Sequence, residues 1–326
     1  FSPSNSLASH GYPALQLNGK PIRRPLEHIG VFVTNAAPYQ SIGYTYIVDR
    51  LRYAVENGIP PYREMPNFEN MDAFGYTMLQ RPLEALNIVY PDTRLNEYIA
   101  AAGAKKGKRK GRGKGDVGAA GDEAPVDPKE LVGKAGLARI GTFKEVNGVK
   151  RDFKYKETPY GSVFAPGEIG KYSAKISAIT KSIMGSEGIV LVYSQYIEGG
   201  LIPIALALEE LGLTRYVGRM SKSKNLFAAA PSEPLDFDTM KPRGARVGAG
   251  VRTAKYAMIT GDKSISPNNL EEINAATGDA NADGSVVKVV LISQAGSEGL
   301  DFIAIRQVHV LEPWYNMNRI EQIIGR

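Results

Sequence analysis

The chain has 326 residues, 40 Lys+Arg against 34 Asp+Glu, a formal charge of +6, three His and no Cys. That length allows roughly two domains with ordinary cores, and 43% apolar with 23% charged residues is a globular composition. Without cysteine there is no disulfide, thiolate nucleophile or cysteine zinc site, and His10, His28 and His309 are too scattered to build a metal centre, so no metal ligand is assigned.

Residues 1–102 read as a partial, irregular α+β segment. Gly30–Thr34 suits a short strand, and Ser41–Glu56 a helix that turns Ile42, Tyr46, Ile47 and Leu51 inward. Leu86–Tyr90 reads as a strand stopped by Pro91. Asp92–Ala102 reads as a short helix opened by an Asp cap. Residues 103–135 then form a low-complexity basic linker, expected to be disordered because such composition buries too little apolar surface to offset its ordering entropy. Within it, residues 104–115 carry Lys105, Lys106, Lys108, Arg109, Lys110, Arg112 and Lys114 with no acid, and the rest of the chain is close to neutral. The positive charge is therefore local. This run suits weak, salt-sensitive binding of phosphates or a merely solubilising linker, and no aromatic residue interleaves it for base stacking.

Residues 136–165 read as a β-hairpin connector. Asn147–Gly148 stands at the centre of Phe143–Lys156, and both residues tolerate the positive φ of a type I′ turn. From Glu168 the pattern becomes regular. Ile169, Tyr172, Ile176, Ile179 and Ile183 step by 3, 4, 3 and 4, which predicts one amphipathic helix over Glu168–Met184. A buried strand Ile189–Ser194 follows, then a helix after Gly199–Gly200 with Pro203 in its first turn, Ile204, Leu208 and Leu211 inward, and Gly212 as its stop. Residues 218–254 have loop composition. Strand Lys255–Thr260, helix Pro267–Ala276, strands Val286–Ser293 and Gln307–Glu312, and a last helix from about Asn316 complete the alternation. Such alternation predicts a parallel sheet with helices on both faces. No stretch approaches the roughly 18 apolar residues of a spanning helix, and no basic-then-apolar signal opens the chain, so no membrane partner is expected.

Ligands of parallel sheets sit at the carboxyl ends of strands, which singles out the loops after Ser194, Thr260, Ser293 and Glu312. The loop Ser293–Phe302 offers small residues that let backbone N–H groups approach an anion, neutral donors at Ser293 and Gln294, and Asp301 as an acceptor for ribose hydroxyls. On spacing alone it reads equally as a tight turn. In the last helix Ile320, Ile323 and Ile324 share one face, and Arg319, Gln322 and Arg326 share another. By itself that polar face reads as the solvated side.

Taken together, IVLVYSQY (189–196), YAMITGD (256–262), VLISQAGSEGLDF (290–302) and VHVLEPWYNMNRIEQIIGR (308–326) resemble motifs IV, V and VI of superfamily-two helicases, in that order. The closest likeness is to helicases of large nucleocytoplasmic DNA viruses, relatives of the small subunit of the poxvirus early transcription factor. The resemblance covers residues 166–326 and implies a helicase carboxyl-terminal, RecA-like domain. It implies nucleic-acid contacts at Ser194, Gln195, Ser293, Gln294 and Gly296, and nucleotide contacts at Gly299, Asp301 and Gly325. Gln322 and Arg326 would be the catalytic residues, matching a Gln-x-x-Gly-Arg-x-x-Arg pattern whose second Arg would fall three residues past Arg326. Gly-Lys at 19, 107, 113, 133 and 170 is never followed by Ser or Thr, so no P-loop is present, and Asp122–Glu123 lies in the linker.

The expectation is a piece of a larger protein, with residues 1–102 the tail of a first lobe or an insertion after it. ATP, Mg²⁺ held by the missing amino-terminal RecA-like lobe, DNA or RNA, and viral transcription machinery are the implied cofactors and partners, in the host cytoplasm or virion. By itself the chain should be inactive. The alternatives are an ATPase subunit of a viral early transcription factor without processive unwinding, and a stand-alone nucleic-acid-binding module.

Overall fold

A computed structural model describes residues 31–59, 71–97, 126–218, 224–244, 252–296, 300, 302, 304–312 and 323. Its centre is a five-stranded parallel sheet of β3 (Ile189–Tyr193), β4 (Thr214–Arg215), β5 (Lys255–Ile259), β6 (Val289–Ile292) and β7 (Ile305–Val310), in the spatial order β4-β5-β6-β3-β7. The expected α/β, RecA-like architecture is present. Alternation along each strand explains both faces. Val190, Val192, Tyr256, Met258, Val289 and Leu291 bury one face against helices α5 (Ala174–Met184) and α6 (Ile202–Leu211). Ile189, Leu191, Tyr193, Ala257, Ile259, Val290 and Ile292 bury the other with Ala276 of α7 (Asn269–Thr277), Phe302 and Ile323.

Before the sheet come α1 (Pro38–Glu56), α2 (Met71–Asn87), α3 (Gly133–Ile140), the antiparallel hairpin β1 (Gly141–Val146) and β2 (Val149–Tyr155), and α4 (Ile169–Tyr172). Several sequence expectations shift here. Val31–Val33 are exposed and form no strand, and Ile42 also faces outward, since Gln40 and Gly43 turn inward beside Tyr46, Ile47 and Leu51. Leu86–Tyr90 is no strand either. The helix runs on to Asn87, and Val89 and Tyr90 then donate their N–H groups to Tyr172 and Leu131, not to a ladder. Asp92 does open a helical turn over 93–97, accepting from the Arg94 N–H at 2.9 Å.

Residues 126–135, which composition puts in the linker, are ordered. Val126, Leu131 and Val132 are buried with Tyr46, Ile47, Ala85 and Leu95, and Arg139 reaches back to the fully buried Asp92 at 2.8 Å. Three apolar residues among the Gly and Lys are enough when a helical pair supplies the rest of the core. The basic run 104–115 lies outside the described residues.

The hairpin turn is as predicted, with Asn147 at φ 53° and Gly148 at φ 74°. The single helix expected over Glu168–Met184 is broken at Ser173, which is extended (φ −150°, ψ 102°) and caps α5 by accepting from the Ile176 N–H at 3.0 Å. The stripe survives the break, because Ile169, Tyr172, Ile176, Ile179 and Ile183 are all buried. Sequence reading also missed β4, a two-residue edge strand.

The loop beyond β4 is held from below by a carboxylate. Glu209 on α6 accepts from the N–H groups of Leu226 (2.6 Å) and Phe227 (2.9 Å) and from the Tyr256 hydroxyl (2.6 Å). Burial nevertheless pushes its carboxyl from 4.5 up to about 7, those donors opposing the push. Glu84, Glu210 and Glu312 are also raised by burial. A raised acid binds its proton more tightly when folded. Its contribution is therefore complete below pH 4.5 and is lost as pH rises through about 7. Unfolding free energies from urea should be higher at pH 5 than at pH 7.5, by about 2 kcal/mol from Glu209, with His309, lowered by burial, offsetting part of it. Equal free energies would contradict this account.

Candidate functional site

The carboxyl ends of the strands are brought level by their register. Tyr193 pairs with both Ile292 and Val310, and Ile259 pairs with Ile292. The ladder runs one step further, with Ser194 N–H to Ile292 O (3.2 Å), Ser293 N–H to Ile259 O (3.1 Å) and Leu311 N–H to Tyr193 O (3.0 Å). The loops singled out from sequence thus leave the sheet side by side along one edge. A cleft of about 520 Å³ opens at the start of β4 and β5 beside Asp152, Thr214, Lys224 and Lys255. It lies away from these loops.

Ser194 is fully buried and points into the edge. Its hydroxyl donates to Glu312 Oε1 at 2.7 Å, and the Gln195 N–H donates to Glu312 Oε2 at 3.0 Å. The backbone after β3 is therefore stapled to the residue that ends the β7 excursion. Ser194 has no free face for a ligand; Gln195, next along, is half-buried. Asn87 completes the network: its amide Nδ2 donates to Glu312 Oε1 and to Gly199 O, and its Oδ1 accepts from Lys175 Nζ at 3.2 Å. Lys175 also donates to Leu311 O at 2.8 Å. Burial raises the Glu312 carboxyl, while Ser194, Gln195, Asn87 and Lys175 favour its ionised form. Burial likewise lowers Lys175, with Glu312 acting the other way. A buried carboxylate with several donors is costly to disturb, because each orphaned donor loses its partner in a dry site.

The second loop has a different character. Ser293 is buried, and its Oγ accepts from the Gly296 N–H at 3.3 Å, while Gln294 is exposed at the tip of the turn. Gly296 sits so close to β5 that a Cβ there would come within 2.3 Å of Ile259 O. Glycine is required at this point for the turn to lie flat on the edge. Of the five residues expected to meet nucleic acid, the structure leaves Gln195, Gln294 and Gly296 at the surface and places Ser194 and Ser293 beneath them as supports. Gly299, Asp301, Gln322, Gly325 and Arg326 lie outside the described residues. In the last helix Ile323 is described, helical and buried in the second core cluster.

Sequence reading missed Glu312, Asn87 and Lys175 as partners in this edge. Glu312 carried a signal, a lone acid closing an apolar strand before Pro313. Asn87 and Lys175 carried none, since both come from elements that looked peripheral. Among the described residues no group of His, Asp and Glu could hold a metal ion, and no helix is long and apolar enough to cross a membrane.

No family model matches the chain. A protein of Acanthamoeba polyphaga mimivirus, carrying the name ATP-dependent RNA helicase, is 31% identical over 160 residues, 49% of this chain. A protein of African swine fever virus, named termination factor NPH-I homolog, is 30% identical over 171 residues, 47% of this chain. The chain is related to the helicase-family proteins of large DNA viruses. It spans 22% of the length of each of these two viral relatives. A shorter match, 41% over 59 residues, is to nucleoside triphosphatase I of Choristoneura biennis entomopoxvirus, covering 18% of the chain and 9% of that protein.

Proposed function

We propose that residues 166–326 of this viral helicase relative are the second RecA-like lobe of an ATP-dependent machine that moves on DNA or RNA. The observation that carries this reading is the level carboxyl edge, on which the motif IV-like and motif V-like loops leave β3 and β6 together. Gln195, Gln294 and Gly296 would touch the nucleic-acid backbone, with Ser194 and Ser293 holding those loops. ATP would bind between this lobe and an amino-terminal RecA-like lobe that supplies the P-loop and Mg²⁺. Gly299, Asp301 and Gly325 would meet the nucleotide, and Gln322 and Arg326 would face its phosphates. Residues 1–102 belong to the end of that first lobe or to an insertion after it. Residues 103–125 are a linker, and 136–165 a hairpin connector. In this reading the 326-residue chain alone does not hydrolyse ATP, because none of its Gly-Lys pairs continues into a P-loop.

A second reading is favoured by the relatives named as termination factors: the same ATPase serving viral transcription without processive unwinding, in the host cytoplasm or virion. Strand-displacement and transcription-release assays on a two-lobed protein separate the two.

The absence of cysteine makes the edge directly testable. A single Gln294→Cys variant carrying an environment-sensitive fluorophore should change its emission when an oligonucleotide is titrated in. The same label at the exposed Lys181 on α5 should not. A silent label at 294, or equal responses at both positions, would remove the edge as the contact.

A further inference from the structure

The hairpin has a surface that the proposed function does not use. Thr142 pairs with Lys154, and Lys144 pairs with Arg151, with a bulge between them. In an unbroken strand Arg151 would share its face with Phe153, two residues on. The extra residue is Asp152, in the left-handed region at φ 56°. It reverses the alternation and puts Arg151 on the face of Lys154. Thr142, Lys144, Arg151 and Lys154 therefore share one face. The opposite face is spent on the lobe, where the Phe143 and Phe153 rings lie 5.0 Å apart and Lys150 Nζ reaches Glu198 at 3.5 Å.

Like charges directly opposite each other destabilise an antiparallel pair, yet Lys144 and Arg151 stand in that relation. Among the described residues none of Lys144, Arg151 and Lys154 forms an ion pair, and Arg151 Nε is buried without a hydrogen-bond partner. The hairpin backbone that carries these charges is held in place. Its backbone is bonded to the lobe through Lys150 N–H to Ser264 O (2.7 Å), Phe153 N–H to Leu226 O (2.6 Å) and Ala228 N–H to Phe153 O (3.2 Å). Two of its anchors, Ser264 and Glu198, belong to the loops after β5 and β3. The Lys150 end of the hairpin therefore reaches the loops that leave the carboxyl edge, while its Phe153 end packs beside Leu226 and Ala228.

We propose that this hairpin face is a fixed platform for the sugar-phosphate backbone of a nucleic-acid strand, resting on the nucleic-acid reading of the edge described above. A polyanion supplies the counter-charge that the fold withholds. Guanidinium and ammonium groups suit phosphate oxygens, and the bulge places them without asking for a conformational change. A stretch of acidic protein would also satisfy the charge. The hold of Lys150 on the loops after β3 and β5, which the proposed function assigns to nucleic acid, favours nucleic acid.

The test is anisotropy of a labelled 30-nucleotide oligothymidylate with the full 326-residue chain, over a range of salt. Every variant also has the seven basic residues of 104–115 changed to Gln, so that the run cannot mask the hairpin. K144Q/R151Q/K154Q should bind at least about tenfold more weakly at low salt. Its log–log salt slope should shrink by about two, at roughly 0.7 for each single-strand phosphate no longer neutralised. K144R/R151K/K154R should keep the slope, which separates charge from folding. K134Q/K181Q/K241Q, removing three exposed lysines elsewhere, should leave it nearly unchanged. An unaltered slope in the hairpin variant, or an equal loss in the control, overturns the platform. If the Gln294 label still responds in that case, the edge reading survives and only the hairpin falls. If the parent with the neutral run binds no oligonucleotide, both fall.

Discussion

Replacing Glu272 by Ala should cost the lobe about 3–5 kcal/mol, the range for leaving a buried ion uncompensated. Glu272 on α7 is fully buried opposite Arg215 of β4, itself only 2% exposed along its side chain. Its Oε1 accepts from Arg215 Nε (3.1 Å) and from a terminal guanidinium nitrogen (2.9 Å). Its Oε2 accepts the Met258 N–H at 2.9 Å. That last bond explains why an acid is needed in a helix facing a sheet. Strand β4 pairs only with Lys255 and Tyr256, so beyond that point β5 has no neighbouring strand to take its N–H groups. Glu272 stands in for the missing ladder, and Ser266 Oγ does the same for Met258 O at 2.6 Å. Arg215 then donates to Ile265 O at 2.9 Å, fixing the loop after β5. Denaturant unfolding followed by far-ultraviolet circular dichroism measures the loss. R215M/E272L, which removes both charges, should be the milder variant despite its two changes. If E272A is within about 1 kcal/mol of the parent, the buried pair is not what closes this sheet.

The sheet was legible because its signal is local. Each strand is a short apolar run with turn residues at both ends, and every side chain of Ile189–Tyr193 is buried as that pattern requires. The helical stripe over 169–183 was legible for the same reason, although nothing in its period announced the break. Ser173 breaks it because Asn87 O, from a distant helix, takes its hydroxyl proton while its oxygen caps α5. Such a contact joins residues 86 apart and leaves no mark on either neighbourhood. The same holds for β4, whose two residues are a strand only because β5 lies beside them. At the candidate site, the loops singled out from sequence leave the sheet along one edge, and the structure buries Ser194 and Ser293 in it. Ser293 reads from sequence as a neutral donor at a strand end, whereas a nucleic-acid contact at Ser194 is what the family resemblance implies. Ser194 donates to Glu312 and Ser293 accepts from Gly296, long-range and turn contacts that neither local pattern announces.

These supports also give the edge a way to be shaped by its surroundings. Glu312 receives donors from the loop after β3 and from Asn87, and Lys175 fastens Leu311 from below. The chain beyond Glu312 is where Gln322 and Arg326 lie in sequence.

The largest effect expected of any substitution is on turnover. In a protein carrying both lobes, Arg326→Ala should lower nucleic-acid-stimulated ATP hydrolysis by about 10³–10⁵, the range for a finger-type arginine. At about 1.4 kcal/mol per factor of ten this is roughly 4–7 kcal/mol of lost transition-state stabilisation. The loss should fall on kcat, with KM for ATP changing far less, because the guanidinium acts on charge that develops at the phosphates during transfer. Oligonucleotide affinity should be unchanged, since the proposed nucleic-acid contacts lie at the carboxyl edge and the hairpin. Arg326→Lys should recover little, as an ammonium lacks the planar fork that engages two phosphate oxygens at once. Ile323, three positions earlier in the sequence, is buried against the second face of the sheet. That contact predicts a further asymmetry. Ile323→Ala should lower kcat without abolishing it, because it removes a core contact but leaves the charge of Arg326, whereas Arg326→Ala removes that charge. Equal effects of the two, or normal turnover in Arg326→Ala, would show that the phosphates are met by some other residue.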